Sequence, residues 1–238
     1  MALRPDRLVL VCGTGTDVGK TWVGARLLDA LRGQGITVAA RKPAQSFDVD
    51  LMGNHLGATD AEVLGAASGE DSDTVCPPTR SYRRAMAPPM AAEALGMAPF
   101  SIADIVEELA WPARPVAVGL VEMAGGVRSP QASDGDTTHV VAALHPEVIL
   151  LVGDAGLGTI NAVRQSMDAL ATVTDRLAGV RTAVVLDRFD DRHDIHRRNR
   201  DWLAERDGYG VFTVPGEERL LADLVLDEEP VEGQGRPA

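Results

Sequence analysis

Only two lysines, Lys20 and Lys42, stand among the 23 Lys and Arg of this 238-residue chain; the other 21 cations are arginines. Lysine is a compact point charge, arginine a wide and permanently charged fork. The first lysine is the second-to-last residue of the stretch Gly13-Thr14-Gly15-Thr16-Asp17-Val18-Gly19-Lys20-Thr21. Backbone N–H groups of such a glycine-rich turn, with the helix N-terminus that follows, attract phosphate oxygens. Lys20 would neutralise charge on a transferred phosphoryl group, and the Thr21 hydroxyl would reach Mg²⁺. The usual loop has four residues between its glycines; here five lie between Gly13 and Gly19. Lys42 follows a second apolar run, Asp60 opens a helical stretch, and Glu122 closes a further apolar run. Mg²⁺ takes oxygen ligands and keeps several waters, so Thr21, Asp60 and Glu122 together with phosphates would suffice to hold it. A carboxylate at the C-terminal end of a strand faces the ligand crevice of an open α/β sheet, and buried it needs a metal or cation as partner.

The elements that must position these groups are legible in the apolar patterning. Residues 8–12 form a continuous apolar run, the signature of a strand buried on both faces. Residues 20–34 follow with a helical period. Further strands are expected at 36–40, 116–121, 148–152, 182–186 and 211–214, with helices at 101–110, 137–144, 160–177 and 194–206. This alternation predicts an α/β fold: a phosphate-loop-containing, doubly wound, mainly parallel β-sheet flanked by helices, in a single domain. Residues 43–100, rich in Gly and Pro, read as a long excursion with short helices near 59–67 and 90–95. The domain is expected to span 1–226, followed by a disordered acidic tail at 227–238.

Composition excludes several classes. The net charge of −12, with a pI near 4.8, opposes nucleic-acid and anionic-membrane binding. No apolar run approaches the roughly 20 residues of a membrane span. The first residues are too charged for a signal peptide, and two cysteines, Cys12 and Cys76, make no disulfide framework, so a cytoplasmic location is expected. Cys12 reads as core packing at a strand end.

The longer loop, Gly-Thr-x-Thr-x-Val-Gly-Lys-Thr, resembles that of the ATP-dependent dethiobiotin synthetases of biotin synthesis. Further segments resemble that family in the same order: Lys42-Pro43-Ala44-Gln45-Ser46, Asp60-Ala61 with Leu64, Ala87 to Glu93, Val121-Glu122-Met123-Ala124-Gly125-Gly126, and Gly156 to Asn161. The resemblance implies that CO₂ joins 7,8-diaminononanoate as a carbamate, that ATP phosphorylates the carbamate, and that the second amine closes a cyclic urea. It implies catalytic roles for Lys42, Lys20 and Thr16. ATP would contact Asp17, Val18, Gly19, Lys20, Thr21, Trp22, Glu122, Ala124, Gly125, Asp187, Pro215 and Gly216. The diamine would contact Ser46, Gly126, Gly158, Thr159, Ile160 and Asn161, the last four from a neighbouring subunit, so the resemblance implies a homodimer. Mg²⁺ would sit at Thr21, Asp60 and Glu122.

Two positions depart from the family pattern. Met123 replaces a glycine, and Asp187 stands where the family usually has an asparagine that reads the adenine edge. An amide donates and accepts, whereas a carboxylate only accepts, so an altered nucleotide preference is expected. Arg41 reads as a surface residue or phosphate neighbour, and Asn199 as part of a solvated helix face. Asp48 and Asp50 read as solvated loop acids, and His55, His139 and His145 as isolated structural or surface residues. His193 and His196, three apart among acids, mimic a metal site with no third ligand cluster. Two rival readings stand beside the synthetase: a related phosphate-loop ligase on another amine or carboxylate, and a switch-type partition ATPase. The second carries an extra lysine early in its phosphate loop, where this chain has Thr14 and Gly15.

Overall fold

The computed structural model describes residues 4–49 and 57–227. Chain order begins β1 (Arg7–Gly13), α1 (Lys20–Gly33), β2 (Val38–Arg41), β3 (Gln45–Ser46), α2 (Asp60–Ser68), α3 (Ser72–Val75), β4 (Ser81–Tyr82), α4 (Pro88–Ala94) and α5 (Ile102–Glu108). It continues with β5 (Val118–Gly126), β6 (Pro130–Ala132), β7 (Gly135–Asp136), α6 (Thr137–Leu144), β8 (Val148–Asp154), α7 (Thr159–Thr174) and β9 (Arg181–Asp187). The last elements are α8 (Asp194–Asp201), β10 (Val211–Thr213) and α9 (Glu218–Leu226).

Six strands pair in the order β10-β9-β8-β1-β5-β2, and every pairing in that sheet is parallel. The apolar runs follow from this: a parallel sheet covered by helices buries both faces of its strands. In β1, Val9 and Val11 pack into one core and Leu8, Leu10 and Cys12 into the other, as the two-residue period of a strand requires. The first core also takes Leu27, Leu28 and Leu31 of α1, Leu64 of α2 and Leu221 of α9; the second takes Ile105 of α5, Val140 of α6 and Val163 of α7. Each fully buried aliphatic side chain contributes about 1.5–3 kcal/mol. Cys12 is core packing, and burial pushes its thiol up to about 12.

The predicted fold class and all six predicted strands are present. The excursion before residue 100 holds more order than expected: three α-helices, a 3₁₀ turn at Pro78–Arg80 and the two-residue parallel pair β3–β4. Helix α9 was not predicted. The tail expected from 227 lies, beyond Asp227, outside the described residues, as do Asp50 and His55. Among the described residues no helix is long and apolar enough to cross a membrane.

Candidate active site

The chemistry gathers at the C-terminal ends of three neighbouring strands, β1, β5 and β2, where open α/β sheets bind ligands. β1 delivers the phosphate loop, whose glycines allow it to fold tightly. Gly19 has φ +91, and a Cβ there would lie 1.9 Å from Asp187 Oδ2. A Cβ on Gly13 would meet the Gly15 carbonyl at 2.9 Å. Lys20 is buried and donates to the Gly15 carbonyl at 2.9 Å, so it folds back along its own loop. Burial, with the nearby Lys42 charge, lowers its pKa.

Sheet register sets the second cluster. Arg41 pairs with Val121, so the next residues, Lys42 and Glu122, emerge at one level from adjacent strands. Lys42 Nζ lies 2.6 Å from Glu122 Oε1 and 2.7 Å from Asp60 Oδ2. Thr21 Oγ1 is 2.7 Å from Asp60 Oδ1 and 2.9 Å from Glu122 Oε1. Asp60 arrives on the first turn of α2, which Thr59 and Glu62 start with a reciprocal capping box. Gln45 fixes that turn by accepting from the Ala61 N–H at 3.0 Å. Lys42 and Glu122 are fully buried. Burial alone would lower the Lys42 pKa, but the two carboxylates outweigh it and raise it. For Glu122 burial prevails over Lys42, and its pKa rises. Burial also opposes the Asp60 charge, yet Lys42 and Thr21 together lower its pKa.

These groups line one cleft of about 690 Å³. It brings together Thr16, Asp17, Gly19, Lys20, Thr21, Trp22, Lys42, Ser46, Asp60, Glu122, Ala124 and Gly125 of the predicted site, with the exposed Asp48 at its edge. Ser46 donates to the Met86 carbonyl at 2.6 Å, closing the side formed by α4 and the loop before it. Trp22 is half exposed, with the Arg26 guanidinium 5.7 Å from its ring centroid. Val18 and Gly126 do not line the cleft; Gly126 packs against the Thr14 carbonyl and Gly15. Asp187 is buried beside Gly19 with Oδ1 unpartnered, and burial raises its pKa. Pro215 and Gly216 line a separate cleft of about 1050 Å³ with Phe189 and Glu217. Gly158, Thr159, Ile160 and Asn161 open α7 and do not reach the first cleft within this chain.

A family model described as AAA domain matches residues 7–210. The ATP-dependent dethiobiotin synthetase BioD of Mycobacterium bovis (strain BCG / Pasteur 1173P2) is 38% identical over 173 residues, 73% of each chain. That of Caulobacter sp. (strain K31) is 33% identical over 223 residues, 92% of each chain. The chain belongs to the dethiobiotin synthetase family. A ParA family ATPase from Chlorobium tepidum TLS superposes with a TM-score of 0.53 at 16% identity, covering 93% of this chain and 88% of that one. At that identity the likeness shows the shared fold alone.

Within this dethiobiotin synthetase scaffold two expectations are corrected. Arg41 is not a surface residue: it is buried, paired with Glu70 at 2.8 Å, and lies 5.1 Å from the Trp111 ring centroid. Asn199 is buried too, donating to the carbonyls of Ala155 at 2.9 Å and Gly156 at 2.8 Å, so it shapes the loop before α7. Met123 continues β5 into the core, and Gly125 beyond it takes φ +64. His193 and His196 stack at 5.0 Å, and among the described residues no cluster of three or more His, Cys, Asp or Glu is poised to hold a metal. The Thr21–Asp60–Glu122 set fits Mg²⁺ better. It offers only oxygens, and Glu122 Oε2 is buried without a partner. Residues missed by sequence are Gln45, Ser129, whose Oγ accepts from the Gly126 N–H at 2.9 Å, and Arg188.

Proposed function

We propose that this chain is an ATP-dependent dethiobiotin synthetase, converting 7,8-diaminononanoate, CO₂ and ATP into dethiobiotin, ADP and phosphate. A carbamate oxygen attacks the γ-phosphorus as the bond to ADP breaks. The second amine then attacks the carbamoyl carbon, phosphate leaves, and the urea ring closes. The supporting observation is the single cleft in which the phosphate loop, Lys42, Asp60 and Glu122 face one another. Phosphoryl transfer needs positioning and charge neutralisation more than covalent help from the protein. Lys20 and the loop N–H groups hold the triphosphate. Lys42 places a fixed ammonium where carbamate and γ-phosphate meet, and Thr16 and Ser46 offer hydroxyls to the reacting end of the diamine. Thr21, Asp60 and Glu122 would hold Mg²⁺, which neutralises phosphate charge when bound.

The catalytic unit is residues 1–226, and it acts as a homodimer in which Gly158 to Asn161 of one subunit complete the diamine site of the other. The free N–H groups of the α7 N-terminus suit the substrate's carboxylate. The buried free thiols of Cys12 and Cys76 fit a reducing cytoplasm. The decisive experiment incubates the protein with ATP, Mg²⁺, bicarbonate and the diamine and weighs the product. Dethiobiotin is expected, with EDTA abolishing its formation; diamine-independent ATP turnover with no ring-closed product would overturn the reading.

A further inference from the structure

Arg188 follows Asp187 at the end of β9 and reaches across the phosphate loop. Its Nη2 donates to the Asp17 carbonyl at 2.8 Å and its Nη1 to Asp154 Oδ2 at 3.1 Å. Its Nε lies 3.7 Å from Asp187 Oδ2. One guanidinium therefore ties the crest of the phosphate loop to the ends of β8 and β9.

The backbone at both ends of this link is unusual. Among the described residues, four other than glycine have positive φ: Asp17, His145, Arg188 and Asp227. Two of the four, Asp17 at φ 57° and Arg188 at φ 54°, are the two partners in one hydrogen bond. Left-handed backbone is costly for a residue with a side chain, and it persists where surrounding contacts over-determine it, commonly at ligand clamps. Here the contact that holds Asp17 is the Arg188 guanidinium.

Charge points the same way. The cations lining the cleft are Lys20, Lys42 and Arg188. Lys42 is paired with Asp60 and Glu122, Lys20 donates to the neutral Gly15 carbonyl, and Arg188 is paired with Asp154. Arg188 has a side chain 58% exposed and uses two of its five N–H groups in the bonds above.

We propose that Arg188 is a positioning residue for the nucleotide: it braces the phosphate-loop crest in its left-handed form and adds a solvent-facing positive charge for the triphosphate. A bidentate fork suits both tasks, since it bridges two acceptors while staying charged. The proposal rests on the ATP-binding half of the function above, so its test omits the diamine. ATP with Mg²⁺ is titrated calorimetrically into the parent protein and into Arg188→Met, Arg188→Lys and Asp154→Asn. Arg188→Met should weaken ATP binding about tenfold, and Arg188→Lys should recover only part of that, because a point charge cannot bridge both acceptors. Asp154→Asn keeps an oxygen for the Gly156 N–H, which Asp154 Oδ1 accepts at 2.7 Å, while losing the carboxylate anchor of Arg188. It should weaken binding about threefold, and adding it to Arg188→Met should cost nothing further. The melting midpoint of the free protein should move by less than about 2 °C in each variant, separating positioning from folding. ATP affinity within twofold of the parent in Arg188→Met would overturn the proposal, as would full recovery in Arg188→Lys or additive losses in the double variant. Absence of dethiobiotin synthesis would leave these affinities unaffected.

Discussion

At Lys42 one buried ammonium nitrogen serves two carboxylates, the buried Glu122 at 2.6 Å and the partly exposed Asp60 at 2.7 Å. Arginine keeps the charge but spreads it over a planar fork that this space does not fit. Lys42→Arg should therefore lower kcat about 10²-fold or more, checked by steady-state dethiobiotin formation. The two lysines stood out in the sequence because an arginine-rich chain retained lysine at only those positions. What that scarcity did not reveal is that Lys42 is also the counter-ion of the two acids read as metal ligands. That link needs register between strands 80 residues apart. Asp187 offers a second test at this scale. Its Oδ1 has no partner, and a carboxylate accepts from a base edge without donating. Asp187→Asn should raise the ratio of kcat/KM for ATP over GTP about tenfold, and equal ratios in the two proteins would count against a base-reading role.

The six strands of the central sheet were legible, whereas the two-residue strands and helix α9 were not. Runs such as residues 148–152 stand out because both faces of the strand are apolar, and α1 because its helical period repeats over several turns. The pair β3–β4 has two residues a strand, too few for any period, and helix α9 follows directly on the Pro215-Gly216 segment, read only for its nucleotide contacts. The 187–207 stretch, with six arginines and seven acids, reads as a solvated surface. Nine of its 21 residues are exposed, yet Asn199 turns inward to bond carbonyls 44 and 43 residues away, which spacing alone cannot disclose. Asn199→Ala leaves those carbonyls without a donor and the loop before α7 without its clamp. The variant should lose about 1–3 kcal/mol of stability in urea unfolding, and the KM for the diamine should rise more than that for ATP.

For the molecule as a whole, the order β1-β5-β2 explains why groups from residues 20, 42 and 122 share one cleft: parallel strands deliver their C-terminal ends to one edge. The same geometry leaves Gly158 to Asn161 outside that cleft in a single chain. If two chains complete the diamine site, dilution should lower specific activity steeply while ATP affinity stays constant, as paired activity and calorimetry measurements would reveal. One further consequence is optical. The chain has three tryptophans, and Trp22, directly after the phosphate-loop threonine, is the one that lines the cleft. Its indole sits half in water beside the place where a triphosphate would dock, so its emission should shift and quench as nucleotide enters, and Trp22→Phe should abolish the signal. The fold thereby carries its own fluorophore at the mouth of the site, and occupancy can be followed in real time without a label.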